Sequence, residues 1–131
     1  MLQQKNFLCT LIQLMDKIYY LASCDTCRKI IKNLPKPIEM EFQDIRQDPI
    51  TPEQLEELYQ MTGSYEALFS KKAQLYKSMD LKNKNLTEAD YKKYLLEHYT
   101  FLSRPVFIIK GKVYAGNSQP NIHAVTQALK Q

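Results

Sequence analysis

A strand–helix–strand pattern with two cysteines at its first turn is the strongest constraint on the fold of this 131-residue chain. The pattern predicts a strand over residues 17–22, an amphipathic helix over 26–34 and a second strand over 38–42. Pro35 and Pro37 lie between the helix and the second strand, and proline cannot continue a helix. Two strands joined through a crossover helix are expected to be parallel, with a right-handed connection.

The middle of the chain, residues 51–97, predicts a series of helices. The pattern Thr-Pro-Glu-Gln beginning at Thr51 is typical of a capped helix start, and Gly63 is a suitable C-terminal stop. A second helix is predicted over residues 65–79. A third is predicted to begin after Thr87, whose hydroxyl lies in capping register with an acidic residue three positions on.

The last part of the chain predicts a hairpin and a closing helix. Strands are expected over residues 106–109 and 112–115, with Gly111 in the tight turn, followed by a helix over 121–130. The fold class is therefore α/β, with a four-stranded mixed sheet flanked by helices. This is a thioredoxin-like layout, with a helical insert at about residues 51–100 between the second strand and the hairpin.

Composition and length are those of one globular domain. The chain is 44% hydrophobic and 24% charged, and three cysteines are too few for a disulfide-rich secreted scaffold, so a cytoplasmic protein is expected. A net charge of +4 is too small to predict direct nucleic-acid binding, and no apolar run predicts a membrane span. We expect the domain to cover residues 15–131, with residues 1–14 as an N-terminal extension, because Met15 resembles a natural start.

The cysteine pair is the first candidate site. Cys24 precedes the first helix, and Arg28 lies one turn further on, so helix N–H groups and positive charge are expected to lower the pKa of its thiol. Cys27 is spaced to resolve a mixed disulfide by attacking Cys24. Two other interpretations remain: structural thiols, or half of a zinc site. Zinc is weakly supported because a second pair of ligands is missing, and no metal is predicted.

Arg104 and Pro105 form the second candidate site. In thioredoxin-like folds a cis-proline begins the strand that faces the Cys-x-x-Cys, and Pro105 occupies the matching place before the hairpin. Arg104 is positioned to bind an anionic substrate through two parallel hydrogen bonds. The alternatives are a trans-proline that starts an edge strand and a solvated arginine at a helix end.

Three motifs, in this order and spacing, resemble those of the ArsC/Spx/YffB family of glutaredoxin-like proteins. The family includes arsenate reductases and a thiol-sensing transcription regulator. The resemblance runs from about residue 17 to 129, and the helical insert is also a family feature. The motifs are YLASCDTCRK at residues 20–29, ALFSKK at 67–72 and FLSRPV at 101–106.

The resemblance implies roles for individual residues. Cys24 would be the sulfur that attacks arsenate in the reductases or senses oxidation in the regulator, and Arg104 would bind the oxyanion. The chain departs from the reductase pattern at Ser70, where an arginine is expected, although Lys71 beside it could substitute in part. A third arginine, expected near Gly116, is also absent. With two of three oxyanion ligands missing, weak arsenate binding is expected.

The sequence therefore predicts a thiol–disulfide oxidoreductase with Cys24 as nucleophile and Cys27 as resolving thiol. Arg104, Pro105, Arg28 and Lys71 are the predicted substrate- or anion-binding residues. The expected substrate is a small oxyanion or a disulfide. No bound cofactor is expected, and glutathione, thioredoxin or glutaredoxin would supply the electrons. The alternative is a non-enzymatic, Spx-like redox sensor that binds the RNA polymerase α subunit.

Overall fold

A central β-sheet organises the protein, whose computed structural model describes residues 16–35 and 39–130. Helices pack on both faces of this sheet, and short 3₁₀ turns connect the helices of the insert. The elements in chain order are β1 (Lys17–Tyr20), α1 (Asp25–Lys32), β2 (Glu41–Asp44), α2 (Pro52–Thr62), α3 (Gln74–Ser78), α4 (Glu88–Glu97), β3 (Val106–Ile109), β4 (Lys112–Ala115) and α5 (Gln119–Lys130).

The sheet has four strands in the order β2-β1-β3-β4. β1 pairs in parallel with β2 and antiparallel with β3, and β3 pairs antiparallel with β4. Tyr19 of β1 lies opposite Val106 of β3 in this register. The predicted mixed sheet with a thioredoxin-like arrangement of flanking helices is therefore confirmed.

Both faces of the sheet are buried, which explains the nearly continuous apolar sequence of its central strands. Ile18 and Phe107 point to one face, in a cluster with Leu34 and with Val125 of α5. The neighbouring residues Tyr19 and Ile108 point to the other face, where the helical insert covers them. Side chains along a strand alternate between the two faces of the sheet, so β1 and β3 contribute residues to both buried clusters.

Two predicted boundaries are wrong. The second strand covers Glu41–Asp44 rather than residues 38–42, and Ile38 lies outside the described residues. The predicted helix over 65–79 divides into a 3₁₀ turn at Glu66–Leu68 and the short helix α3. Helix formation stops between these two pieces because Phe69 pairs with Leu102 in an antiparallel bridge.

Other predicted features agree with the structure to within a few residues. Thr51 and Thr87 both cap helices through complete capping boxes, and Gly63 ends α2 in the left-handed conformation. Gly111 and Lys110 form the predicted hairpin turn, both with positive φ. The proposed extension at residues 1–14 lies outside the described residues. None of the helices described is long and apolar enough to cross a membrane.

Removal of the α4 cap should destabilise the insert. The Thr87 hydroxyl accepts a hydrogen bond from the Asp90 backbone N–H at 3.2 Å, and the Asp90 carboxylate accepts one from the Thr87 N–H at 2.9 Å. We expect Thr87→Ala to lower the free energy of unfolding by about 1 kcal/mol in urea denaturation. Thr87→Ser, which keeps the hydroxyl, should remain close to wild type. Equal stabilities for the two variants would contradict this account of the cap.

Candidate active site

The N-terminus of α1 holds Cys24. Cys24 is the N-cap residue, with extended backbone angles (φ −92°, ψ 119°), and its carbonyl accepts the first helical hydrogen bond, from the Arg28 N–H at 3.1 Å. The Cys24 N–H donates to the Leu21 carbonyl at 3.0 Å, which turns the chain from the strand into the helix. The first-turn N–H groups of Thr26 and Cys27 are left free to donate to the Cys24 sulfur.

Opposing influences act on the ionisation of Cys24. Partial burial is the largest single influence, and it opposes the thiolate. Hydrogen bonds from the Cys27 backbone N–H, the Cys27 thiol and the Thr26 N–H, together with the positive charge of Arg104, outweigh it. The net result is that the pKa of the Cys24 thiol lies below its ordinary value. Cys24 is partly exposed, so this thiolate is open to a substrate.

Cys27 has the opposite character. Its residue surface is only 1% exposed, and burial, assisted by the neighbouring Cys24 charge, raises the pKa of its thiol to about 11. Its thiol therefore stays protonated at neutral pH and donates a hydrogen bond to the Cys24 sulfur. The two cysteines that the sequence predicts as a pair thus lie together, one partly exposed and favouring the thiolate, the other buried and neutral.

Arg104 and Pro105 lie at the start of β3, beside this thiol pair. The Arg104–Pro105 peptide bond is cis, and Pro105 is buried. The Arg104 guanidinium lies close enough to lower the pKa of both cysteine thiols. Its Nη1 donates to the Tyr99 carbonyl at 3.4 Å, whereas its buried Nε has no hydrogen-bond partner within the described chain. Arg104 therefore keeps donor capacity for an anion.

A groove of about 570 Å³ runs beside Arg104. The Ser70–Lys72 segment of the insert forms one wall, and residues 115–118 form the opposite one. Two backbone hydrogen bonds bring the insert to this position, from the Ser70 N–H to the Phe101 carbonyl at 2.7 Å and from the Ser103 N–H to the Leu68 carbonyl at 2.8 Å. Ser70 and Gly116, the two positions where the family resemblance leads one to expect arginines, thus line the same groove as Arg104.

The other two predicted anion-binding residues already have protein partners. Arg28 forms an ion pair with Asp25 and donates from Nη1 to the Ala22 carbonyl at 3.1 Å. Lys71 lines the groove, but its ammonium group donates to Glu66 at 2.7 Å, and this contact raises the pKa of the lysine. Either cation would have to leave its partner to bind a substrate. Arg104 is therefore better placed for that role.

Sequence reasoning missed the polar wall formed by Asn117 and Ser118. The strand-breaking run Gly116-Asn117-Ser118 was the available signal, because polar residues after a strand commonly border a site. The Tyr99 carbonyl, which accepts a hydrogen bond from the Arg104 side chain, gave no signal because every residue type carries a backbone carbonyl. Within residues 16–35 and 39–130, no cluster of three or more histidine, cysteine or acidic residues is arranged to hold a metal ion.

Similar folds occur among solved structures. An arsenate reductase from Vibrio cholerae is 22% identical, with a TM-score of 0.69 and coverage of 86% of this chain and 96% of its own. An arsenate reductase related protein from Brucella melitensis is 21% identical, with a TM-score of 0.63 and coverage of 84% and 92%. A protein from Staphylococcus aureus is 26% identical, with a TM-score of 0.68 and coverage of 84% and 97%. Comparison with functionally curated proteins found no match.

Fold and site together define a thioredoxin-like protein with a thiol pair at the first strand-to-helix turn. Residues 19–125 match the ArsC family. The chain belongs to this family, as its three motifs predicted, and it shares the fold of the Vibrio cholerae arsenate reductase.

The charge of Arg104 should be measurable at Cys24. We expect Arg104→Gln to raise the pKa of the Cys24 thiol, because the thiolate loses a nearby positive charge. The pKa can be read from the pH dependence of Cys24 alkylation, followed by mass spectrometry. Arg46→Gln is the matched control, since Arg46 is exposed and does not contribute to the ionisation of Cys24. An unchanged Cys24 pKa in Arg104→Gln would contradict this electrostatic assignment.

Proposed function

We propose that the protein is a thiol–disulfide oxidoreductase in which Cys24 attacks and Cys27 resolves. The observation that carries this proposal is the opposed ionisation of two adjacent thiols, with the pKa of Cys24 lowered and that of Cys27 raised to about 11. A nucleophile must be a thiolate, whereas a resolving thiol is best kept protonated until the mixed disulfide has formed. Two purely structural cysteines would not require one thiol with a lowered pKa and one with a raised pKa.

The chemistry balances in two steps. The Cys24 thiolate attacks a substrate disulfide, forms a bond to one substrate sulfur and releases the other as a thiolate. Cys27 then gives its proton to the thiolate released in the first step and attacks the Cys24 sulfur, which forms the Cys24–Cys27 disulfide and releases the second substrate thiolate. Loss of the negative charge on Cys24 in the first step removes one of the influences that raise the pKa of Cys27. Two molecules of glutathione or one thioredoxin-type dithiol reduce the Cys24–Cys27 disulfide, are themselves oxidised to a disulfide, and so complete the cycle.

The groove beside Arg104 is suited to a substrate with a single anionic group. Arg104 supplies a guanidinium with a free donor, and Ser70 and Asn117 supply neutral hydrogen-bonding groups in the same groove. Arsenate carries two negative charges and would meet Ser70 in place of a second arginine, while Lys71 is held by Glu66. A disulfide that bears one carboxylate fits this charge distribution better than arsenate does.

Substitution of each cysteine should give a distinct product. With a low-molecular-weight disulfide as substrate, Cys24→Ser should lose all turnover because the attacking sulfur is gone. Cys27→Ser should stop after the first step and accumulate a mixed disulfide at Cys24, visible by mass spectrometry. The third cysteine of the chain, Cys9, provides the matched control, and Cys9→Ser should turn over as wild type. Full turnover by Cys24→Ser would exclude the mechanism.

An arginine introduced at position 70, where the family resemblance leads one to expect it, should lower the KM for arsenate. We expect slow arsenate reduction by the wild type, and a KM for arsenate about tenfold lower in Ser70→Arg, because one charge-assisted hydrogen bond is worth about 1.5 kcal/mol or more. Ser78→Arg adds the same charge at an exposed position of α3 outside the groove and should have no effect. Equal KM values for all three proteins would contradict the role given to the groove.

The non-enzymatic alternative makes a different prediction. A redox-sensing regulator would capture the RNA polymerase α subunit in only one oxidation state and would show no turnover with any disulfide. A pull-down with oxidised and reduced protein, run beside the disulfide reductase assay, separates the two functions. Redox-dependent capture without turnover would overturn the proposed reductase.

A further inference from the structure

An ion pair in the wall of the groove beside Arg104 affects the charge that a substrate meets. Lys71 and Lys72 both line the groove, next to each other on the wall that the insert supplies. The Lys71 ammonium nitrogen lies 2.7 Å from Oε2 of Glu66, whereas Lys72 has no ion-pair partner among the described residues. Glu66 itself does not line the groove. A residue outside the groove thus holds one of the two lysines that border it.

Glu66 is held in place by helix α4. Its Oε2 also accepts a hydrogen bond from the Tyr91 hydroxyl at 3.2 Å, and Tyr91 is only 7% exposed. The Glu66 backbone N–H donates to Oε2 of Glu88 at 3.2 Å, and the Tyr65 N–H donates to Oε1 of the same carboxylate at 2.7 Å. Two residues of α4 therefore contact both the backbone and the carboxylate of Glu66.

The contact with Tyr91 distinguishes this ion pair from an isolated pair on the surface. Both charged side chains are about half exposed, and an isolated pair of that kind holds its cation only weakly. The hydrogen bond from the buried Tyr91 orders the Glu66 carboxylate, so Lys71 meets an acceptor that is already in position. The hydrogen bond between the pair lowers the pKa of Glu66 and raises that of Lys71, so both groups stay charged at neutral pH.

The ion pair reduces the positive charge available to a substrate. An anion that uses Lys71 must displace the Glu66 carboxylate, whereas the Nε of Arg104 has no partner to displace within the described chain. A substrate with one negative charge can therefore bind Arg104 and leave the pair intact. A second negative charge competes with Glu66 for Lys71. Specificity arises from such a disfavoured contact as well as from favourable ones.

We propose that Glu66 is a specificity-determining residue of the thiol site, which keeps Lys71 from the substrate and so disfavours substrates with two negative charges. This inference rests on the proposed function, because it assigns the substrate charge of that same site. Glu66 acts through Lys71 and is a positioning residue. The charge preference of the groove then depends on contacts made by α4 as well as on the residue at position 70.

NMR titrations with sulfate and acetate test the proposal without turnover. At neutral pH sulfate carries two negative charges and acetate carries one, and binding is read from the backbone signals of Ser70 and Gly116, which line the groove. Glu66→Gln keeps an oxygen that accepts from the Tyr91 hydroxyl but removes the charge that holds Lys71. We expect sulfate affinity to rise about threefold in this variant and acetate affinity to rise less. Circular dichroism checks that each variant is folded.

Two double variants identify the lysine that is released. The gain in sulfate affinity from Glu66→Gln should disappear in a Lys71→Gln background and persist in a Lys72→Gln background. Glu97→Gln is the matched control, because it frees Lys93 from an ion pair at 3.9 Å outside the groove, and it should leave sulfate affinity unchanged. An equal gain in Glu97→Gln, a gain that survives Lys71→Gln, or no gain in Glu66→Gln would overturn the proposal.

Kinetics separate this inference from the proposed function. With a disulfide that bears two carboxylates as substrate, Glu66→Gln should lower KM about threefold and leave kcat unchanged, because the reacting thiols are the same. A lowered kcat with the same KM would contradict the role given to Glu66. Absence of turnover in wild type and variant would contradict the proposed oxidoreductase, and the sulfate titration would still decide the role of Glu66.

Discussion

The antiparallel pairing of β1 with β3 is the constraint on which the thiol site depends. With Tyr19 opposite Val106, the chain that leaves β1 and the chain that enters β3 meet at the same end of the sheet. Cys24 lies five residues after Tyr19, and Arg104 lies two residues before Val106. Two residues 80 positions apart are thereby brought close enough for the Arg104 charge to act on the Cys24 thiol. The buried layers on both faces of β1 and β3 hold this register, because a slip of one residue would exchange their core and surface sides.

The insert completes the site without supplying its reactive group. Its backbone pairs with the chain that leads into β3, through the bridge between Phe69 and Leu102, and this pairing sets Ser70 beside Arg104. Phe69 also stacks against Phe101, with ring centroids 5.1 Å apart, so the contact is packed as well as hydrogen-bonded. A change of one side chain at position 70 could therefore alter substrate charge preference while the thiol pair stays as it is. The chemistry and the specificity of the site come from separate parts of the chain.

Local signals in the sequence predicted those parts of the structure that local interactions determine. The capping boxes at Thr51 and Thr87, the hairpin turn at Gly111 and the cysteine pair at a helix start all depend on residues close in sequence. The break of the predicted helix at Phe69 could not be foreseen, because its partner Leu102 lies 33 residues away. The ion pair between Lys71 and Glu66 also depends on the folded structure. The resemblance to a known family supplied the expected proximity of Arg104 to Cys24, which spacing alone could not have given.

A redox titration of the two thiols tests the central claim most directly. The protein would be equilibrated in buffers of defined thiol–disulfide potential, and the state of each cysteine would be read by alkylation and mass spectrometry. We expect Cys24 and Cys27 to convert together and reversibly into one intramolecular disulfide. Its midpoint reduction potential should be about −270 mV if a thioredoxin-type dithiol is the reductant. Failure to form a Cys24–Cys27 disulfide at any potential, while Cys24 alone is oxidised, would contradict the assignment of Cys27 as the resolving thiol.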